Sequence, residues 1–144
     1  MMNSKFKIQN TKKAARYFKD ELAFTSNPYS VKFALDKKER TIIVDVRSEK
    51  DYNAGHIPGA INIPCEKWIS LDNPKAEIPG LIRDGFNYVY CYALLCSLST
   101  RAAQKFASLG YPVKEIKGGF AAWKESKYAI EKSKSTGLKA VSRS

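Results

Sequence analysis

Four short segments limit the folds open to this chain more than any other feature of its sequence. They are TIIVDV (41–46), AINI (60–63), YVYC (88–91) and PVKEI (112–116). The first is a β-branched apolar run of the kind found in strands that are buried on both faces of a parallel sheet. We therefore predict a strand at each of these segments.

Segments with helical periodicity lie before and between the strands. Residues 11–25 predict an amphipathic helix, and Pro28 suits the first turn of a second. Further helices are predicted after Ser48, over residues 98–109 and after Gly118-Gly119. Because strands and helices alternate, we predict an α/β fold with a central, mostly parallel sheet, helices on both faces and an extra N-terminal helix.

The composition indicates one basic domain. The chain has 144 residues, 25 Lys and Arg against 14 Asp and Glu, and a formal net charge of +11. This charge favours anions as ligands, but the basic residues are scattered, so we do not expect nucleic-acid binding. No stretch resembles a secretory signal or a membrane span, so we expect a cytoplasmic protein with no membrane partner and with reduced thiols.

Two of the three cysteines lie in one predicted turn, in YVYCYALLCSLSTRAAQKF (88–106). Cys91 ends a strand, and a helix begins within about eight residues of it. Backbone amides in such a turn, together with the helix N-terminus, favour a thiolate, which is the nucleophilic form of cysteine. The alternative is a cysteine that fills space in the core, and the residues alone leave both possibilities open.

Other cysteine chemistry finds less support in the sequence. The spacing Cys-x4-Cys lacks the second pair of ligands that a structural zinc site needs, so we predict neither a metal nor a cofactor. The one histidine, His56, belongs to AGHIPGA, far from the cysteines in sequence. A cysteine–histidine pair would therefore depend on tertiary packing.

Two stretches resemble the rhodanese-like domain family. IIVDVRSEKDYNAGHIPGAINIP is similar to the first signature of that family, and GYPVKEIKGGFAAW is similar to the segment that closes the domain. The resemblance covers roughly residues 28–130. The combination of a Cys-x4-Cys loop with an N-terminal helix resembles a subset of single-domain bacterial members.

The resemblance implies a rhodanese-like fold and a sulfurtransferase mechanism. A cysteine attacks the outer sulfur of thiosulfate or of a persulfide donor, and a thiol acceptor, which in some cases is a protein, then takes the sulfur from the enzyme persulfide. Together with the helical pattern near the N-terminus and the polar, basic composition of the last residues, it divides the chain into three parts: an N-terminal helical extension (1–27), the rhodanese-like domain (28–132) and a basic flexible tail (133–144). A non-catalytic or regulatory binding module is the alternative, because a fold alone does not determine a function.

The resemblance favours Cys91 as the attacking cysteine, because Cys91 stands at the strand end. Cys96 competes, since Cys96 to Arg101 reproduces the Cys-x4-Arg spacing of the family. If Cys91 attacks, Cys96 either packs at the helix start or resolves the persulfide by forming a Cys91–Cys96 disulfide. The resemblance also gives Asp45 and Arg47 a role in organising the site, with a purely structural ion pair as the alternative.

The loop between the cysteines departs from the family pattern. It lacks the usual mid-turn glycine and carries no charge before Arg101. Its apolar rim suits a less charged donor, a protein persulfide or a docking partner. The candidate substrate-binding residues are Tyr92, Ala93, Leu94, Leu95 and Ser97.

Overall fold

A computed structural model describes residues 10–133 of the chain. Its helices are α1 (Thr11–Phe24), α2 (Pro28–Asp36), α3 (Glu49–Ala54), α4 (Leu98–Ser108) and α5 (Gly119–Glu125), with a 3-10 turn at Cys65–Lys67. Its strands are β1 (Thr25–Ser26), β2 (Thr41–Asp45), β3 (Ile61–Asn62), β4 (Phe86–Tyr90) and β5 (Val113–Ile116).

The five strands form one sheet in the order β1-β5-β4-β2-β3. Every pair of neighbouring strands is parallel, which confirms the predicted α/β architecture. The sequence did not predict β1, a strand of two residues that pairs with Glu115 and Ile116 of β5. A segment of two residues is too short to show an alternation of apolar and polar side chains, so it is recognised as a strand only from its pairing with β5.

Side chains along the central strands alternate between two apolar clusters, one on each face of the sheet. Val44 of β2 and Val89 of β4 pack in the cluster that includes Phe106 of α4. The neighbouring residues Ile43 and Tyr88 pack in the opposite cluster, with residues of α2 and α5. Helices therefore cover both faces, as predicted.

Local capping explains where two of the helices begin. The Asn27 side chain accepts a hydrogen bond from the Ser30 amide at 2.9 Å, and Pro28 occupies the first helical position of α2. The Ser48 hydroxyl accepts from the Asp51 amide at 3.2 Å at the start of α3. Both helix starts agree with the sequence prediction.

The N-terminal helix α1 lies against the sheet edge without burying any of its residues. The Glu21 carboxylate of α1 lies 3.6 Å from the ammonium group of Lys117, the residue after β5. Residues 1–9 of the predicted extension and residues 134–144 of the predicted tail lie outside the described residues. Within residues 10–133, no helix is both long enough and apolar enough to cross a membrane.

Candidate functional site

The candidate site lies at the carboxyl ends of the two central strands. Strands β2 and β4 are in register, so that Asp45 lies opposite Tyr90 at the last position of each. Strand β4 ends at Tyr90, and Cys91 is therefore the first residue after the strand rather than its last. Ligands of parallel α/β sheets bind at this edge, which agrees with the predicted position of the loop.

Helix α5 holds the start of the cysteine loop in place. The amides of Phe120 and Ala121 donate to the carbonyl oxygens of Cys91 and Tyr92 at 2.9 and 3.0 Å. Gly119 makes this approach possible, because its φ is +60° and a Cβ there would lie 2.6 Å from the Cys91 carbonyl oxygen. Gly119 thus has a structural role in positioning the loop, whereas a Cβ at Gly118 would meet Ala122 of α5.

Cys91 is buried beneath helix α4. It continues the alternation of β4, so its side chain enters the same cluster as Val89 and only 1% of the residue is exposed. Burial raises the pKa of the Cys91 thiol, and its hydrogen bond with Cys96 raises it further. These surroundings favour the neutral thiol at Cys91.

Cys96 is partly exposed and lies at the start of α4. Its sulfur accepts a hydrogen bond from the Leu98 amide at 3.4 Å. Desolvation opposes ionisation of Cys96, but hydrogen bonds from the Cys91 thiol and from the backbone of Leu98, Tyr92 and Ser99 outweigh it and lower its pKa below the ordinary value. The environment of Cys96 therefore favours a thiolate.

Backbone donors surround Cys96 more fully than Cys91, where we expected them: Leu98, Tyr92 and Ser99 donate to Cys96, and Ser99 alone donates to Cys91. The two sulfurs are close enough to share a hydrogen bond, and both cysteines are free thiols. Sequence position favours Cys91 as the attacking residue, whereas burial and hydrogen bonding favour Cys96. The assignment of the attacking thiol stays a prediction.

Sequence reasoning missed Ser99 and Glu115. The Ser99 hydroxyl lies 3.3 Å from the Cys91 sulfur and donates to the Glu115 carboxylate at 2.7 Å. Thr100 donates to the same carboxylate oxygen at 2.8 Å. The available signal was a carboxylate within the short apolar strand VKEI, at a position that faces the same side of the sheet as Val89.

Asp45 and Arg47 form a buried ion pair on the other face of the sheet from Cys91. Their closest contact, between Arg47 and Asp45 Oδ2, is 2.7 Å. Tyr90 donates to the same carboxylate at 2.6 Å, and the Arg47 guanidinium lies 4.2 Å from the centre of the Phe120 ring. Burial favours the neutral form of Arg47, but the hydrogen bond and charge of Asp45 raise its pKa above the usual value.

Tyr92 turns away from the cysteines. Its hydroxyl donates to Asp51 of α3 at 2.5 Å, and this hydrogen bond, with a second from Ser48, lowers the pKa of Asp51. Tyr92 and Arg47 border a cleft of about 470 Å³ that Lys124 also lines. Tyr92 therefore links the loop to α3 and contributes to a cationic cleft beside it.

The remaining predicted site residues lie at the surface of the loop and of α4. Leu94 and Leu95 are strongly exposed, at 67% and 96% of their full accessible area. The other exposed members of this group are Ala93, Ser97 and Arg101. Their predicted substrate-binding and catalytic roles stay predictions.

His56 does not pair with a cysteine. It is buried, its ring stacks on Tyr52 at 3.9 Å between ring centres, and its Nε2 lies 3.3 Å from Glu131. Among residues 10–133, no three His, Cys, Asp or Glu side chains are grouped as ligands for a metal ion.

Comparison with known proteins identifies the family of the chain and a similar solved structure. The family model described as "Rhodanese-like domain" matches residues 28–126. The crystal structure of the BH2092 protein from Bacillus halodurans is 31% identical, has a TM-score of 0.73, and matches over 85% of this chain and 87% of that one.

Two curated relatives are longer proteins. The HTH-type transcriptional regulator Rv0324 of Mycobacterium tuberculosis is 37% identical over 82 residues, which are 57% of this chain and 34% of the regulator. The adenylyltransferase and sulfurtransferase UBA4 of Vanderwaltozyma polyspora is 31% identical over 106 residues, which are 70% of this chain and 24% of that protein. The chain thus spans about a third or less of the length of these relatives.

Proposed function

Because the chain belongs to the rhodanese-like domain family, we propose that it is a sulfurtransferase, which moves a sulfane sulfur to a thiol acceptor through a cysteine persulfide. The observation that carries this proposal is the paired environment of Cys96 and Cys91, one thiol among hydrogen-bond donors and the other buried beside it. The similarity to a protein described as an adenylyltransferase and sulfurtransferase supports the same class of reaction.

The first step is an attack by the Cys96 thiolate on the outer sulfur of a donor such as thiosulfate. The new bond joins this sulfur to Cys96, and the donor's S–S bond breaks with its electron pair on the departing sulfite. The Leu98 amide, 3.4 Å from the Cys96 sulfur, stabilises negative charge on the attacking atom. The neutral Cys91 thiol donates a hydrogen bond to the same site.

In the second step, the thiolate of an acceptor attacks the outer sulfur of the persulfide. The bond to Cys96 breaks with its electron pair on Cys96, which returns as a thiolate. The exposed Leu94 and Leu95 place apolar surface beside the sulfur, and this suits a persulfide or protein partner better than a small dianion. The donor, the acceptor and the cytoplasmic location stay predictions.

A second outcome is favoured by the closeness of the two thiols. The Cys91 sulfur, once deprotonated, attacks the inner sulfur of a Cys96 persulfide, so that a Cys91–Cys96 disulfide forms and hydrogen sulfide ion leaves. In this step the sulfane sulfur is reduced and the two cysteines are oxidised. An external thiol reductant is then needed to restore the pair.

Intact mass measured under non-reducing conditions after incubation with thiosulfate tests the proposal. We expect a gain of one sulfur that Cys96→Ser abolishes and that Cys65→Ser leaves unchanged. A gain that Cys91→Ser abolishes, but Cys96→Ser does not, makes Cys91 the attacking residue. A loss of two hydrogen masses indicates the disulfide, whereas no adduct with thiosulfate or with a persulfide donor favours the binding-module alternative.

A further inference from the structure

We propose that Glu115, acting through Ser99, keeps Cys91 in its thiol form and so leaves Cys96 as the thiolate of the pair. The inference rests on the proposed sulfur transfer, since it identifies what decides which cysteine attacks. Glu115 contacts Ser99 and Thr100 rather than a reacting sulfur, and it is therefore a positioning residue.

The direction of the hydrogen bonds carries the inference. A serine hydroxyl has one proton, and the Ser99 proton is donated to Glu115, with 2.7 Å between the oxygens. The 3.3 Å contact between Ser99 Oγ and the Cys91 sulfur is therefore one in which the thiol donates and the oxygen accepts. A thiolate at Cys91 would face the lone pair of this oxygen.

The carbonyl group of Cys96 supports the same assignment. The carbonyl oxygen of Cys96 lies 3.7 Å from the Cys91 sulfur, and a carbonyl oxygen can only accept. The Ser99 backbone forms a hydrogen bond with each of the two sulfurs and lowers the pKa of both, so it does not favour a thiolate at one cysteine over the other. Cys91 therefore donates to the Ser99 oxygen and to the Cys96 carbonyl oxygen, whereas the Cys96 sulfur accepts a hydrogen bond from the Leu98 amide at 3.4 Å.

The sheet register explains why Glu115 reaches this position. Glu115 of β5 pairs with Val89 of β4, so the two side chains point to the same face of the sheet. The Cys91 side chain lies on that face too, two residues beyond Val89. Ser99, in the first turn of α4, fills the space between the carboxylate and the sulfur.

Other charged groups near this region are engaged elsewhere. The Lys114 ammonium lies over the Phe86 ring at 4.7 Å, and Lys117 pairs with Glu21. Asp45 and Arg47 bind each other on the opposite face of the sheet. Among residues 10–133, Cys96 and Glu115 are thus the titratable groups linked to Cys91 by hydrogen bonds.

Alkylation of the cysteines tests this assignment without any sulfur donor. In a Cys65→Ala background, the protein is treated with iodoacetamide across a pH series, and the modified cysteine is identified by peptide mass spectrometry. In the parent we expect Cys96 to react first. In Glu115→Gln we expect the Cys96 rate at pH 7 to fall about three- to tenfold and the Cys91 rate to rise, because the negative charge that disfavours a Cys91 thiolate is lost and the thiolate shifts toward Cys91. Glu115→Ala should act in the same direction.

Thr100→Ala provides the matched control. It removes the other hydrogen bond to the Glu115 carboxylate and leaves the link to Ser99 intact, so we expect the parent's rate and midpoint. An unchanged Cys96 rate in both Glu115 variants overturns the inference, and so does an equal fall in Thr100→Ala. Because no donor is used, either result is independent of whether the protein takes up sulfur.

Discussion

The sulfur of Cys96 lies 3.4 Å from the amide nitrogen of Leu98, the first residue of helix α4. The first amides of a helix have no acceptor within the helix, and here one of them donates to the Cys96 sulfur. A negative charge on that sulfur is therefore stabilised. Cys91, five residues earlier in the sequence, is buried in the core. The two cysteines therefore have opposite protonation tendencies although they share one loop.

The first prediction concerns the pH dependence of sulfur loading. Because the pKa of Cys96 is lowered, its thiolate persists below the ordinary thiol range of about 8.5 and is lost only as the pH falls through the lowered value. Cys91→Ala removes a hydrogen-bond donor, so the midpoint of the rate profile should move to higher pH. The measurement is the rate of the mass gain with thiosulfate at each pH.

Cys65→Ala is the control for this profile, because Cys65 lies in the 3-10 turn and outside the loop. It should keep the parent's midpoint. A Cys91→Ala midpoint that equals the parent's, or lies below it, contradicts the proposed hydrogen bond between the two thiols.

The second prediction concerns the support of the loop by α5. Gly119→Ala should lower the free energy of unfolding by about 2–4 kcal/mol and slow sulfur loading, because the added Cβ meets backbone atoms of Cys91 and Ala93. Gly59→Ala is the matched control. Its φ is also positive, at +83°, but nothing lies within 4 Å of the added Cβ, so we expect a loss of about 1 kcal/mol from backbone strain alone.

Denaturant unfolding and the loading rate together check this pair of variants. Equal losses of stability at Gly59 and Gly119 would show that the close approach of α5 to the loop contributes nothing beyond the backbone angle.

The third prediction separates a structural role of Asp45 from a catalytic one. Asp45→Asn leaves Arg47 buried without its carboxylate and should cost about 3–5 kcal/mol of stability. Asp84→Asn breaks the exposed pair with Arg40 and should cost at most about 1 kcal/mol. Because the Asp45 pair lies on the far face of the sheet from Cys91, folded Asp45→Asn should load sulfur within about twofold of the parent rate.

Urea titration measures the stability of both variants, and loading is measured at a temperature where circular dichroism shows each to be folded. A more than tenfold slower loading in folded Asp45→Asn would instead support the organising role that the family resemblance implies.

The fourth prediction concerns the uncharged rim of the loop. Leu95 is 96% exposed, so its substitution should change stability by less than about 0.5 kcal/mol. Leu95→Lys should speed loading from the thiosulfate dianion about two- to fivefold, and Leu95→Glu should slow it by a similar factor. Both effects should shrink in 0.5 M salt, where charges are screened over a few ångströms.

The loading rates of the two Leu95 variants, measured at low and at high salt, test whether the donor enters past this rim. Equal rates for Lys and Glu would place the entry of the donor away from this rim.

The sequence by itself determined the sheet and the helices. Short apolar strands, the cap at Ser48 and the proline at position 28 are local signals, since they depend on residues within one or two turns of each other. It also determined that a cysteine loop follows the central strand β4, because strand and helix periodicities meet there. The strand β1 was not predicted, because two residues are too few to show an alternation of apolar and polar side chains.

Only the tertiary structure decided how the loop's chemistry is distributed. Whether Cys91 points toward α4 or toward Arg47 depends on the face that β4 turns to each helix, which no spacing along the loop reveals. The approach of Glu115 to Ser99 depends on the parallel register of β4 and β5, across 16 residues of sequence. Hydrogen-bond direction and burial arise from such contacts between distant segments, and they determine which sulfur is protonated.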